Sequence, residues 1–238
     1  MSTQVPASGK DEPVSQNPVT ETIPQMTEDD HDLLSSPVGP TTVFHDPENF
    51  NLKHPLINKW TLWYTKPPSQ KGGVGENWAE LLKEVITFDS VEEFWGVYNN
   101  IAKTSELAHK SDYHLFKAGV RPEWEDPQNK NGGKWSYQFK SQRLQVDELW
   151  LHAMLGAIGE TLERENDDEV MGVVVNVRRG FCRIGLWTRT CDRKDALLKI
   201  GEKFRELLKL PEQEKLEFSV HANAAHSGSS RAKAKYTV

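Results

Sequence analysis

Trp78 and Trp124 fall outside any apolar period. Trp78 follows the polar, glycine-rich stretch 70–77, and Trp124 sits in Arg-Pro-Glu-Trp-Glu-Asp-Pro, between two prolines that disfavour regular structure. Large aromatics on loops are costly unless something stacks on them. Two facing indoles would hold any planar ring, so stacking alone does not select a ligand. Charge does. Methylation at guanine N7 makes the base cationic, and a cation over an indole face gains about 0.5 to 2 kcal/mol. Glu125, beside Trp124, adds a carboxylate able to accept from the ring N1–H and the exocyclic amine, a donor pair that guanine presents and adenine lacks. Without Trp124 as its neighbour, Glu125 would read as a solvated loop acid.

A second group of residues suits phosphate. Arg178, Arg179 and Arg183 cluster where one strand candidate ends and the next begins, with Gly180 at the turn. Guanidinium forks match phosphate oxygens, although three arginines alone would be an ordinary solvated basic turn. Trp187 lies four residues beyond Arg183, so period two puts both side chains on one strand face, with an aromatic beside the cations. From Ser219 onward the chain has Arg231, Lys233 and Lys235 and no acid, which makes it either a further anion contact or a solvated end.

The elements that must carry these residues alternate strands with three helices. Apolar residues alternate with polar ones over Asn58 to Thr65 and at Trp135, Tyr137 and Phe139; further strand candidates are Val85–Phe88, Tyr113–Lys117, Met171–Arg178, Cys182–Arg189 and Leu216–Val220. The pattern predicts an antiparallel, one-sided sheet. Ser90, with Glu93 three residues on, opens a helix whose buried stripe is Phe94, Val97, Tyr98 and Ile101. A second helix spans about Asp147 to Leu162. Its core stripe includes Leu149, Trp150, Ala153, Met154 and Ala157, while Leu151, Leu155 and Gly159 form a separate line that implies a second partner. A third, about Asp192 to Lys209, carries Leu197, Ile200, Phe204 and Leu207 and stops before Pro211. Helices on one sheet face give an α+β fold. Trp60, Trp63, Trp135 and Trp150 belong to its core.

Composition bounds the rest. In 238 residues, 37% of them hydrophobic, one sizeable core is the expectation. Residues 1–50 hold nine acids, one base (Lys10), seven of the thirteen prolines and no tryptophan, a composition that predicts a disordered acidic tail. The domain, residues 51–238, is mildly basic despite the net charge of −6. Two cysteines, Cys182 and Cys191, with no Cys-x-x-Cys, supply neither a disulfide framework nor a zinc set; no metal or cofactor is expected. No run approaches the roughly 18 apolar residues of a membrane helix, so a soluble, cytoplasmic protein without a membrane partner is expected.

His-Pro-Leu at 54–56, Trp-Thr-Leu-Trp-Tyr at 60–64, Val-Glu-Glu-Phe-Trp at 91–95, Arg-Pro-Glu-Trp-Glu-Asp at 121–126, Gly-Gly-Lys-Trp at 132–135, Leu-Trp-Leu at 149–151 and Ile-Gly-Glu at 158–160 resemble the cap-binding translation initiation factor 4E family. The resemblance runs from His54 nearly to the end. It implies a curved eight-stranded antiparallel sheet backed by three helices on its convex face, with the 7-methylguanosine cap of mRNA held on the concave face. By the same resemblance Trp78 and Trp124 are the sandwich pair, Glu125 reads guanine, the Trp124 main-chain N–H reaches guanine O6, Trp187 meets the N7 methyl group, and Arg178 and Arg183 bind phosphate. On the convex face, His54, Pro55, Val91, Trp95, Leu151, Leu155 and Gly159 resemble the dock for a Tyr-x4-Leu-hydrophobic helix carried by the scaffold factor 4G and by repressors. A monomer without enzymatic activity is implied.

Several positions depart from the family pattern. The stretch 66–77 is longer and more glycine-rich than in many relatives, His152 stands where some carry an acid, and Gly180 and Phe181 stand where others add a lysine. Ser229 resembles a phosphorylated serine of some members. Two other readings compete with an activator of translation. One is a cap-binding paralogue that represses it. The other is a cap pyrophosphate hydrolase using Glu165, Asp167, Asp168 and Glu169 as metal ligands, although such an acid run is more often a solvated loop.

Overall fold

The computed structural model describes residues 53–68, 78–140, 143–223 and 233–238, and backbone alone at Trp78, Arg143 and Leu144. The acidic tail, Ser229 and Arg231 lie outside the described residues. Eight strands form one antiparallel sheet: β1 (Pro55–Thr65), β2 (Leu82–Ser90), β3 (Asp112–Lys117), β4 (Gly133–Lys140), β5 (Val170–Arg178), β6 (Phe181–Thr188), β7 (Glu217–Val220) and β8 (Tyr236–Thr237). Their order across the sheet is β2-β1-β3-β5-β6-β4-β7-β8. Each expected strand is present. β8, two residues paired through Phe218 and Tyr236, carries too short a pattern to announce itself.

Period two divides the sheet into two unlike faces. On one, Leu62, Leu115, Trp135, Tyr137, Val173, Val175, Ile184, Leu186 and Phe218 enter the main core. The other was expected to be polar, yet Phe116, Val120, Met171, Val174 and Trp187 form a smaller apolar cluster there, with Trp124 packed against it. The sheet is therefore not one-sided. Its second face carries a floor for aromatic chemistry.

Three helices cover the main core: α2 (Val91–Asn100), α3 (Arg143–Ile158) and α4 (Lys194–Leu207). Ser90 caps α2 as its spacing predicts, accepting from the Glu93 N–H at 3.3 Å, but the Glu93 carboxylate reaches one residue further back, to the Asp89 N–H at 3.1 Å. Phe94 is buried beneath α2, and removing such a side chain from water stabilises by about 1.5 to 3 kcal/mol. α3 starts four residues before the expected Asp147, because Arg143, Leu144 and Gln145 are good helix formers and nothing there breaks the turn. Asp147 instead takes the Ser105 N–H at 2.9 Å and the Ser105 hydroxyl at 2.6 Å, anchoring the 3-10 turn Thr104–Glu106. α4 lies close enough to β4 that a Cβ at Gly201 would stand 2.5 Å from the Trp135 ring, and the indole N–H donates to the Leu197 carbonyl at 3.1 Å. A short helix missed by periodicity, α1 (Trp78–Leu81), precedes β2, so Trp78 opens a helix rather than lying within a loop.

Candidate functional site

The face away from the helices holds a concave pocket of about 640 Å³. Its wall includes Ala79 of α1, Trp124 and Glu125 of the loop after β3, Lys134 and Ser136 of β4, Asn176 and Arg178 of β5, and Arg183, Gly185 and Trp187 of β6. Of the residues expected to meet the ligand, Trp124, Glu125, Trp187, Arg178 and Arg183 converge here. Trp78 heads the helix whose next residue lines the wall; its side chain lies outside the described residues.

The loop bearing Trp124 is fixed by its own polar side chains. Asp126 accepts from the Arg121 N–H at 2.9 Å and the Gln128 N–H at 2.8 Å. Asn129, fully buried, donates to the carbonyls of Arg121 at 2.7 Å and Glu123 at 3.0 Å. Arg121 pairs with Glu123 at 2.7 Å and lies over the Trp63 ring. These bonds hold Trp124 half-buried against the second-face cluster while Glu125 stays exposed at the rim.

The floor is Trp187. Its ring meets Phe116 edge-on, at 5.4 Å between centroids and 80° between planes, and His221 at 4.2 Å and 43°. Toward the phosphate end, Arg178 is held by Asp112 through two contacts, 2.6 and 3.2 Å, and Asn176 donates to the same carboxylate at 2.9 Å. Arg183 donates to Gln138 at 2.9 Å. Arg179 stands in the turn after β5, is exposed and does not line the pocket.

Lys134, His114 and Asn176 are among the pocket residues that escaped the sequence reading. Lys134 lines the wall although it is largely buried; burial, then Arg183, pushes its ammonium down to about 8. Its place, alternating with Trp135 and Tyr137, was a usable signal: those two face the core, so Lys134 faces the pocket. His114 accepts or donates at 2.8 Å to the Thr65 hydroxyl, and burial pushes its ring down to about 4. Asn176 carries no signal of its own in sequence.

The convex side presents the other expected set. Val91 and Trp95 are among the exposed large apolar residues, each 37% accessible, and Leu151 and Leu155 are only partly buried, packed at the margin of the main core. His54 is tied to α2 by Glu92, which accepts from both its N–H, at 2.9 Å, and its ring, at 2.6 Å, and the Val91 N–H donates to the His54 carbonyl at 3.0 Å. Gly159 follows the end of α3, where a Cβ would meet the Leu155 carbonyl at 2.9 Å. His152 is half-buried on the same helix.

Three members of the acid run are ion-paired, while Glu165 is exposed. Asp168 bridges Lys117 at 2.8 Å and Arg189 at 2.6 Å; Asp167 and Glu169 both hold Arg193 at 2.8 Å; Glu169, buried, also accepts from the Thr190 N–H at 3.1 Å. Among the described residues no three His, Cys, Asp or Glu side chains are grouped to hold a metal ion, and no helix is long and apolar enough to cross a membrane. Lys235, counted as a candidate anion contact, donates to the Cys191 carbonyl at 2.7 Å and does not line the pocket.

Comparison with known proteins agrees with this layout. Residues 55–236 match the model of the family "Eukaryotic initiation factor 4E". Eukaryotic translation initiation factor 4E-1 of Schizosaccharomyces pombe is 52% identical over 198 residues, 83% of this chain and 88% of that protein. Eukaryotic translation initiation factor 4E of Saccharomyces cerevisiae is 49% identical over 185 residues, covering 78% and 84%. Two solved structures superpose with a TM-score of 0.70 over 79% of this chain: Caenorhabditis elegans factor 4E-3 with the 4E-binding protein Mextli and a cap analogue, at 36% identity and all of that chain, and Ascaris suum factor 4E-3 with a 7-methylguanosine cap, at 35% and 98%.

Proposed function

The chain belongs to the eukaryotic initiation factor 4E family, and we propose that it binds the 7-methylguanosine cap of mRNA in the pocket opposite the helices and recruits a scaffold of the factor 4G type to start cap-dependent translation in the cytoplasm. The observation that carries this reading is the convergence of Trp124, Glu125, Trp187, Arg178 and Arg183 from three separate chain segments around one pocket of about 640 Å³. Trp124, with Trp78 as the expected second ring, stacks the methylated base. The Glu125 carboxylate accepts from guanine N1–H and its amine. Trp187 meets the N7 methyl group, and Arg178, Arg183 and Lys134 face the triphosphate, with Asp112 orienting the Arg178 fork. No step of bond making or breaking is needed. The enzyme reading loses its ligands as well, since Asp167, Asp168 and Glu169 are engaged by Lys117, Arg189 and Arg193.

The convex line of Val91, Trp95, Leu151 and Leu155, flanked by His54, Pro55 and Gly159, takes one face of a short amphipathic helix, the binding mode that a Tyr-x4-Leu-hydrophobic segment of the scaffold or of a 4E-binding repressor would use. The protein works as a monomer in this reading, each face meeting a different partner.

The test is selectivity for charge. 7-Methylguanosine triphosphate quenches tryptophan emission with an affinity at least about tenfold above that of guanosine triphosphate, as a cation between two indole faces requires. Equal affinities would remove the cation–π basis of the proposal.

A further inference from the structure

We infer that His221 is a positioning residue for methyl recognition: it sets the Trp187 indole against the N7 methyl group of the bound base. The inference rests on the cap-binding reading above, in which Trp187 meets that group.

His221 follows directly on β7, and its N–H donates to the Gly132 carbonyl at 3.1 Å. Gly132 can carry no side chain, because a Cβ there would stand 1.8 Å from the Thr188 carbonyl oxygen. The backbone is thereby drawn in until the imidazole centroid lies 4.2 Å from that of Trp187. Phe116 of β3 meets the indole edge-on, so two rings, one from each side of β6 in the sheet, fix its plane. The placement is not that of a hydrogen-bonding core histidine. The ring is only 1% exposed, and neither of its nitrogens has a hydrogen-bond partner among the described residues. A phenyl ring would pack there without that desolvation cost, so nothing in the packing alone asks for imidazole.

Charge explains how an imidazole is tolerated beside a site for a cation. Burial, with the Lys134 ammonium adding to it, pushes His221 down to about 3. The ring is neutral near pH 7. An imidazolium at 4.2 Å would compete with the methylated base for the π density of Trp187. A neutral ring leaves that density to the ligand.

The experiment measures, by calorimetry on the full chain, the affinity ratio between 7-methylguanosine triphosphate and guanosine triphosphate, with a thermal melt of each variant. In His221→Ala the indole gains room to tilt: the ratio falls about three- to tenfold, a loss confined to the methylated ligand, while guanosine triphosphate binding stays within about twofold. His221→Phe restores most of the ratio, because it returns an uncharged ring. A ratio in His221→Ala equal to that of the wild type, or a parallel loss of both ligands, overturns the inference, since a purely structural histidine would lower stability and both affinities together. Should His221→Ala not melt cooperatively, His221→Gln carries the same two expectations. Failure of the wild type itself to prefer the methylated ligand would sink the cap-binding reading instead, and the two failures are thus told apart.

Discussion

Lys134 is a cation placed where solvent is scarce. Burial and the neighbouring Arg183 lower its ammonium to about 8, so near neutral pH it is charged but only just. An anionic ligand binds the protonated form better and must raise this value. Below about pH 8 the free protein already carries the charge and affinity is flat; above it, binding has to take up a proton, and affinity falls as pH rises. The expected outcome is a decline in affinity for guanosine triphosphate of several fold between pH 7.5 and about pH 9, measured by calorimetry in two buffers of different ionisation enthalpy so that proton uptake is read directly. In Lys134→Gln the decline is absent and the affinity at pH 7 is lower. A wild-type profile superimposable on that of the variant would show that Lys134 does not face the phosphates. Such a residue also marks a limit of reading side chains one at a time. Arg178 and Arg183 were legible because arginine beside a strand turn suggests anion binding, whereas a lysine inside an alternating strand looks like solvated polar filler until the strand's other face is known to be core.

Elements convert such side chains into a site by fixing where they point, and the loop between β3 and β4 does this without regular structure. Asn129 is fully buried and joins its start to its middle through two carbonyls, at Arg121 and Glu123. Asn129→Ala leaves both acceptors unpaired inside the fold, which costs about 1 to 3 kcal/mol of stability. The same change frees Trp124 and Glu125, so cap-analogue affinity falls by about fivefold or more even where the domain remains fully folded, consistent with the cost of ordering two side chains at binding. A chemical denaturation curve and a titration at the same temperature check both; a stability loss with unchanged affinity would mean that the second-face cluster alone positions Trp124. This loop was legible for its tryptophan and prolines and opaque for its asparagine, since a polar residue in a polar loop gives no sign of being buried. The helices behaved similarly. The Ser90 start of α2 was readable from its capping spacing, but α3, expected from about Asp147 on its apolar period, begins at Arg143, and the Asp147 side chain binds Ser105, forty-two residues away in sequence. Apolar period finds the buried part of a helix and says little about where its first turn starts.

At the scale of the whole molecule, alternation along eight strands produces two faces that share a sheet but share no binding residue. Trp135, Tyr137 and Ile184 look toward the helices, while Lys134, Ser136, Arg183 and Gly185, their immediate neighbours in sequence, look into the pocket. This division was largely legible, because period two is a property of the chain itself, whereas the order of strands across the sheet depends on pairings that no local pattern encodes. It has a thermodynamic consequence. Trp95 is 37% exposed on α2 and touches Phe94 and Tyr98, whereas Trp124 packs against the separate cluster on the other face of the sheet. Substitutions without shared neighbours add to within about 0.5 kcal/mol. Trp95→Ala therefore removes binding of a Tyr-x4-Leu-hydrophobic peptide, by at least about 2 kcal/mol as expected for a central aromatic anchor, and leaves affinity for 7-methylguanosine triphosphate within about threefold. Trp124→Ala does the reverse. In the double variant the two losses add, and calorimetric titration of each ligand, alone and in the presence of the other, measures any coupling. A coupling energy above about 1 kcal/mol would mean that the sheet transmits strain between its faces and that the two sites are one cooperative unit. The ion-paired segment after α3 is the place where such strain would travel, since Asp168 is held by Lys117 at the end of β3 and by Arg189, which reaches Gln128 of the Trp124 loop at 3.4 Å. Lys117→Met, which removes the buried partner of that network without touching either site, leaves the measured coupling unchanged if the two faces are independent and abolishes it if they are not.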